Sequence, residues 1–284
     1  DFNFNAQDLN LTYRGTFAKN FSLDFTNRFS RTEEPRSFDD VLGRTAGRYS
    51  YYRDTARLTG TFDVNRHLQF ALGYGYDIKE ISSDTAGPDS YSHSGRLSGI
   101  YFFDSANIAT LFYEVERRFY DPGDTITRNT VFLNYRRYFK EYFYGEAGVG
   151  YDFFDSRSDE SAPQFVLSVT NEFSETTYVK ASYMKRYMIQ TYNEDLFDEW
   201  RSSLTFGHKV YRRLELSFSG FIGRGEYDVS GLRDTFYGVT GKLDYDFTEH
   251  INGFASYSFR TVSSNRNTRE YDRSLISVGV RLKY

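Results

Sequence analysis

The sequence predicts an all-β fold: a transmembrane, antiparallel, up-and-down β-barrel of about 16 strands, with about 14 or 18 as the alternatives. Three observations carry that prediction. Apolar residues recur at every second position over stretch after stretch, the period of a strand with one apolar and one polar face. The composition is that of strands, since Tyr 26 and Phe 28 stand beside Trp 1 and Pro 4, and aromatic residues make up 19% of the 284 residues. The breaks between stretches alternate between tight turns and longer polar segments, so each hairpin has one short end and one long end.

The clearest unit lies near residues 198–228. Trp200, Ser202, Leu204, Phe206, His208 and Val210 alternate with Arg201, Ser203, Thr205, Gly207 and Lys209. After a break at Tyr211, Arg212 and Arg213, the residues Leu214, Leu216, Phe218, Gly220 and Ile222 alternate with Glu215, Ser217, Ser219 and Gly223. From the start of the chain, residues 2–6 (Phe2, Phe4, Ala6) read as a strand fragment. Leu9, Leu11, Tyr13 and Phe17 then turn at Lys19 and Asn20 into Phe21, Leu23, Phe25 and Phe29, and a long polar loop follows over residues 32–47. Ala56 to Val64 turn at Asn65 and Arg66 into Leu68 to Tyr76. Further turns fall near Ser105, at Lys140 and Glu141, at Glu175 and Thr176, and at Glu249 and His250. Loops fall at residues 82–90, 121–125 and 227–235, and the last strand holds Ile276, Val278, Val280, Leu282 and Tyr284. No helix or linker interrupts the series, so residues 1–284 read as one barrel domain with an incomplete N-terminal strand.

Short turns on the periplasmic side and longer loops outside are the construction of outer-membrane barrels. Traced back from Tyr284, the strand beginning at Leu9 runs inward, so an even barrel with both ends in the periplasm needs one more ascending strand, for which residues 2–6 are the remnant. Unpaired backbone groups in lipid cost several kcal/mol each, and a sheet of this length must close. A soluble propeller or sandwich would show a blade period and a second apolar layer, neither of which is present.

Composition excludes other classes. Mean hydropathy is -0.63, and no apolar run approaches the roughly 20 residues of a helical span. A net charge of -4 gives no reason to expect nucleic acid. Zero cysteine removes disulfides and thiolate chemistry and suits an exported chain. The opening Asp1, followed at once by alternation, reads as a mature chain without its leader.

If the apolar set meets lipid, the opposite set lines the lumen. It holds Arg14, Arg28, Arg53, Arg57, Arg96, Arg118, Arg128, Arg136, Arg186, Arg201, Arg260, Arg273 and Arg281, interleaved with acids that include Glu114, Glu116, Glu146 and Asp244. A lumen of both signs is wet, which excludes a dry apolar plug, and a barrel of about 16 strands is wide enough for an aqueous path. The excess of arginine favours anions, while Tyr138, Tyr142 and Tyr144 offer faces to sugar rings. The plainer reading of each charge is a cross-strand ion pair in a solvated wall. Aromatic residues at strand ends form interfacial girdles, among them Tyr52, Tyr101, Phe103, Phe139, Phe143, Trp200, Tyr211 and Phe247.

Catalysis finds little footing. His67 and His250 fall at turns, and His208 lies on the lipid face near one. His93, near the outer rim, is odd-spaced from Ser92 and Ser94, which therefore point to the opposite face. Asp84, Asp89, Asp121 and Asp124 lie in loops without a calcium-loop spacing. The sequence thus predicts a chain that is not an enzyme and carries no metal or other cofactor.

The ending Ser277, Val278, Gly279, Val280, Arg281, Leu282, Lys283, Tyr284 resembles the C-terminal strand that the outer-membrane assembly machinery reads, with Tyr284 as the final aromatic signal. The Tyr- and Arg-rich strands, as in NYRRYF at 134–139 and KRY at 185–187, resemble the β-barrel porin family found beside exopolysaccharide loci in Gram-negative bacteria. That resemblance implies a channel for passive diffusion or for secreted polysaccharide. The expectation is an outer-membrane channel for exported polysaccharide or small anionic solutes, in contact with outer-membrane lipid, lipopolysaccharide, the assembly machinery and a periplasmic export partner. The alternatives are a scaffold barrel that encloses or docks a lipoprotein or cytochrome, and a rim enzyme centred on His93.

Overall fold

The computed structural model describes residues 7–32, 51–81, 88–155, 160–174, 176–189, 195–266 and 270–282. Among them are fifteen strands and no helix: β1 (Gln7–Ala18), β2 (Phe21–Thr32), β3 (Tyr51–Asn65), β4 (Leu68–Ile81), β5 (Asp89–Phe102), β6 (Asn107–Asp121), β7 (Thr125–Lys140), β8 (Phe143–Asp155), β9 (Glu160–Ser174), β10 (Thr177–Ile189), β11 (Leu196–Tyr211), β12 (Leu214–Tyr227), β13 (Arg233–Asp246), β14 (Ile251–Ser264) and β15 (Tyr271–Leu282). They join in sequence order into one up-and-down sheet. The expected sixteenth strand at residues 2–6, residues 33–47 of the long loop and the assembly signal at Tyr284 lie outside the described residues.

Side-chain chemistry closes the tight turns where the sequence marks them. Asn65 Oδ1 accepts from the backbone N–H of His67 and Leu68 at 2.8 and 3.0 Å. Asp104 Oδ1 accepts from the N–H of Ala106 at 2.7 Å, and Thr248 Oγ1 from those of His250 and Ile251 at 3.2 and 3.0 Å. These short polar side chains satisfy turn donors that no ladder reaches. At the opposite end of β12, the connection to β13 needs a left-handed residue, which Gly231 supplies at φ +60°.

The chain falls into two compact units. One comprises Asp1–Tyr135, Val149–Gln164 and Tyr187–Phe197; the other comprises Arg136–Gly148, Phe165–Arg186 and Asp198–Tyr284. In the first, β1 to β6 pair antiparallel in unbroken succession. In the second, β9 pairs with β10, and β12 to β15 pair in succession.

Burial is inverted in both. Ile276 and Val278 on β15 are 74% and 78% exposed, whereas Asp152 and Glu199 are 0% and 1% exposed. The apolar face of each strand is the open one, and the polar face is the covered one. Covering is not wholly polar, however. In the first unit Tyr120, Ile126, Phe154, Ala162, Ile189 and Leu196 pack into an apolar cluster at the strand ends remote from the tight turns. This corrects the exclusion of any dry apolar packing on the polar side. Tyr120, Ile126, Phe154 and Ala162 share strand parity with Arg118, Arg128, Asp152 and Gln164, so the two-residue period holds while the chemistry changes in the last residues before the loops.

Candidate functional site

On the polar face of the first unit, register rather than sequence proximity assembles an ion-pair lattice. Thr55, Asp77, Ser92 and Arg118 form one row across β3, β4, β5 and β6, and Thr59, Gly73, Arg96 and Glu114 form another nearer the tight turns. Arg53 donates to Asp77 Oδ2 from Nε and Nη2 at 2.8 and 2.6 Å, and Thr55 Oγ1 donates to the same oxygen at 3.0 Å. Arg118, almost fully buried, donates to Asp77 Oδ1 at 3.4 Å, Ser92 Oγ at 3.1 Å and Glu116 Oε1 at 3.2 Å. Arg128 bridges Glu116 at 2.7 Å and Glu114 at 3.2 Å, and Arg96 holds the other oxygen of Glu114 at 2.7 Å. Asp152 accepts from Thr130 and Gln164. Each carboxylate therefore meets two or more donors, the arrangement that burial of charge demands.

In the second unit more of the arginines lie over rings, as Arg96 does over Phe112 at 4.0 Å in the first. The Arg201 guanidinium sits 5.3 Å from the Phe221 centroid and 5.1 Å from that of Phe236, and Arg260 approaches Phe221 at 5.6 Å. Arg260 and Arg273 are direct cross-strand partners, two cations on one face. Arg281 lies 4.5 Å over Phe254 and donates to Asp244 at 3.1 Å. Glu199 stands 2.9 Å from Arg201 and 4.0 Å from Arg186. Arg136 pairs with Glu146, lies 5.4 Å over Tyr144, and Tyr144 in turn lies 5.2 Å from Tyr138. Guanidinium over an aromatic face gains cation–π attraction while leaving the N–H edge open to an anion.

Glycines let those rings lie flat. A Cβ at Gly223 would stand 2.4 Å from Phe236, at Gly238 2.8 Å from Phe221, and at Gly279 2.7 Å from Phe254. The sequence shows these glycines within strands, but only the register shows which ring each one receives.

The remaining expected residues take their places on the same strand faces. Arg14 pairs with Asp24, while Arg28 and Arg57 have no ionic partner among the described residues. On the apolar face, aromatic pairs stand at both ends of the strands. Phe139 packs on Phe143 at 4.9 Å, Tyr101 on Phe103 at 4.9 Å and Tyr245 on Phe247 at 5.0 Å near the tight turns. Tyr52 with Phe29 at 6.2 Å and Trp200 with Tyr183 at 6.5 Å stand at the other end. Tyr211 is exposed beside its turn.

His93 lies on this apolar face. Its Nδ1 is 2.6 Å from Tyr74 Oη, and its ring lies against Tyr76 at 5.2 Å. Ser92 is turned to the opposite face, in contact with Arg118. A His–Ser relay has no geometry there.

No protein-family model matches the sequence, and no curated protein matches it. Solved structures do. The FrpB iron transporter from Neisseria meningitidis aligns with a TM-score of 0.61 at 9% identity over 92% of this chain and 52% of its own. The ferric yersiniabactin uptake receptor FyuA from Yersinia pestis gives 0.57 at 10% over 94% and 53%. The alcaligin outer membrane receptor FauA from Bordetella pertussis gives 0.52 at 11% over 98% and 57%. These neighbours are receptors and a transporter rather than enzymes, and none is a polysaccharide porin. The chain spans little more than half the length of each, and the likeness is one of fold: an all-β, up-and-down antiparallel sheet of the kind that forms outer-membrane receptors.

Proposed function

We propose that the chain forms a transport barrel in the outer membrane of a Gram-negative bacterium, with its polar face lining the path of small anionic solutes. The inverted burial supports lipid as the surrounding solvent. On β4 to β6 the apolar rows run from Leu68, Tyr101 and Ala109 to Tyr74, Gly95 and Val115 before the first cationic row at Tyr76, His93 and Arg117. The six-residue advance across the apolar rows is about 20 Å along a strand, and the cationic row follows at about 26 Å, against an apolar band of about 25 Å in barrels of this kind.

Closure into one domain of about 16 strands follows from energetics. β1 and β15, both odd members of an antiparallel series, run in the same direction, so one further antiparallel strand between them satisfies both edges.

The observation that carries the anionic cargo is the packing of Arg201 on Phe221 and Phe236 and of Arg260 on Phe221, with Arg273 opposite Arg260 in the register. A ring adds cation–π attraction to a guanidinium without adding negative charge, and Arg260 and Arg273 stand as cross-strand partners on one face, which suits a site that must bind an anion and release it. A ferric complex, of the kind that the yersiniabactin uptake receptor's name describes, is a candidate cargo within this reading. Exported polysaccharide remains the runner-up within the same reading, supported by the Tyr138–Tyr144 pair and not by the neighbours. The scaffold reading draws on the first unit, where saturated ion pairs make a stiff wall.

Conductance in a planar bilayer under a salt gradient tests the proposal. The expected result is an open, anion-preferring pore whose preference falls in Arg201→Gln/Arg260→Gln. A silent barrel, or an open pore with unchanged preference in that variant, would overturn the anion path and leave the scaffold.

A further inference from the structure

The apolar face of the first unit carries a cation that the transport reading does not use. Arg117 lies on β6 between Val115 and Phe119, exposed, on the mainly apolar face. Its neighbours Glu116 and Arg118 point to the opposite face and belong to the ion-pair lattice. No carboxylate pairs with Arg117 among the described residues. Of the acids on its own face, Asp89 and Asp121 sit at the strand ends as each other's cross-strand partners, Asp89 receives the Ile81 N–H at 2.7 Å, Glu80 stands opposite Tyr52 on β3, and Asp54 accepts from Asn27 at 2.6 Å.

The setting is organised. Tyr76, His93 and Arg117 form one register row across β4, β5 and β6, the first row beyond Tyr74, Gly95 and Val115; Ile78, Tyr91 and Phe119 form the next. The Arg117 guanidinium lies 5.0 Å over the Phe119 ring. Phe119 stacks on Tyr91 at 4.8 Å, Tyr91 meets the edge of His93 at 6.1 Å, and His93 is fixed through Nδ1 by Tyr74. A plate of rings thus holds the guanidinium and the imidazole side by side one row short of the loop-ward row of Ile78, Tyr91 and Phe119.

We infer that this row binds the phosphate of a phosphorylated glycolipid headgroup, lipid A, in the outer leaflet. The inference rests on the barrel reading, which puts the loop ends of β4 to β6 at the outer surface. A guanidinium facing lipid costs about 2–4 kcal/mol at the bilayer centre and almost nothing at the interface, where an aromatic belt and an anionic headgroup both favour it. Arg117 presents several N–H donors in a planar fork matched to phosphate oxygens, and its packing on Phe119 fixes the fork beforehand. His93 Nε2 adds a further hydrogen-bonding atom, since Nδ1 is taken by Tyr74.

The test uses the whole chain refolded into phosphatidylcholine vesicles containing a few per cent lipid A, then extracted in mild detergent, with retained lipid A counted by native mass spectrometry. The wild type is expected to retain lipid A, and Arg117→Gln to retain about tenfold less. Arg117→Lys should recover part of the loss. Arg137→Gln should change nothing, because Arg137 lies over Phe139 at the tight-turn end. Lipid A stripped of its phosphates should not be retained. Equal retention by wild type and Arg117→Gln, or equal loss in Arg117→Gln and Arg137→Gln, overturns the site while leaving the barrel standing. Displacement of lipid A by inorganic phosphate would assign the row to soluble phosphate and overturn the lipid source. Failure to enter vesicles, read separately from the heat-dependent mobility of the folded form in gels, overturns the barrel and the inference with it.

Discussion

The two units solve the same problem, an arginine on a covered polar face, in different ways. In the first, Arg53, Arg118 and Arg128 are each tied to carboxylates, and Asp77 and Glu116 are each shared between two arginines. In the second, Arg201, Arg260 and Arg281 are laid over Phe221, Phe236 and Phe254. Carboxylates dominate the setting of the arginines in the first, whereas in the second Arg201 and Arg281 meet a carboxylate and a ring together. Two arginine-rich faces can therefore differ in how they hold their charge.

The most severe test of that contrast is Asp77→Ala. It strips two arginines of a shared partner, one of them deeply buried, and should cost about 3–5 kcal/mol of unfolding free energy, measured by urea titration of the refolded chain. A loss below about 1 kcal/mol would show the lattice to be a solvated wall like any other. Next comes the support beneath the rings. Gly223→Ala should cost about 1–3 kcal/mol in the same titration, because its Cβ would meet both Phe236 and the Trp200 carbonyl oxygen, the latter at 2.7 Å and unable to move aside. Gly220→Ala, with its nearest neighbour at 3.6 Å, should be close to neutral.

Selectivity sharpens the comparison further. Removing the charge of Arg201 and Arg260 should lower the anion-to-cation permeability ratio by roughly two- to fivefold, while Arg96→Gln, whose charge Glu114 already offsets, should leave it nearly unchanged. Reversal potentials in a salt gradient read both, and the difference should shrink as ionic strength rises. The smallest effect is expected at Asp244→Ala. Its partners Lys242 and Arg281 are partly exposed, so stability should fall by less than about 1 kcal/mol.

Alternation and turn chemistry made most of the architecture legible from the sequence. Asn65, Asp104 and Thr248 are short polar residues at breaks in a two-residue period, and each makes the turn bonds that its side chain permits. The arginines were legible as residues of one face because parity needs no knowledge of neighbours. Their partners were not. Whether Arg118 meets Asp77 or another acid depends on the offset between strands 41 residues apart, which is fixed by backbone ladders and bulges such as that between Asp63 and Asn65. The rings over glycines escaped for the same reason. The apolar cluster of Tyr120, Ile126, Phe154 and Ala162 left a readable trace, apolar residues at the polar parity just before the loops, which a strand-by-strand majority reading passed over.

The glycine beneath each phenyl ring has a consequence for how the strands find one another. Phe236 rests on Gly223, Phe221 on Gly238 and Phe254 on Gly279, and in each case ring and glycine belong to adjacent strands. Sliding either strand by two residues preserves its polar and apolar faces, so hydrophobic patterning alone does not penalise that error. It does, however, drive most of these rings onto a neighbour that carries a side chain: Phe221 would meet Phe236 or Thr240, Phe254 would meet Ser277 or Arg281, and Phe236 would meet Phe221 in one direction, while Gly225 admits it in the other. Such pairs work as proofreading marks during insertion, rejecting the mispairings that alternation tolerates.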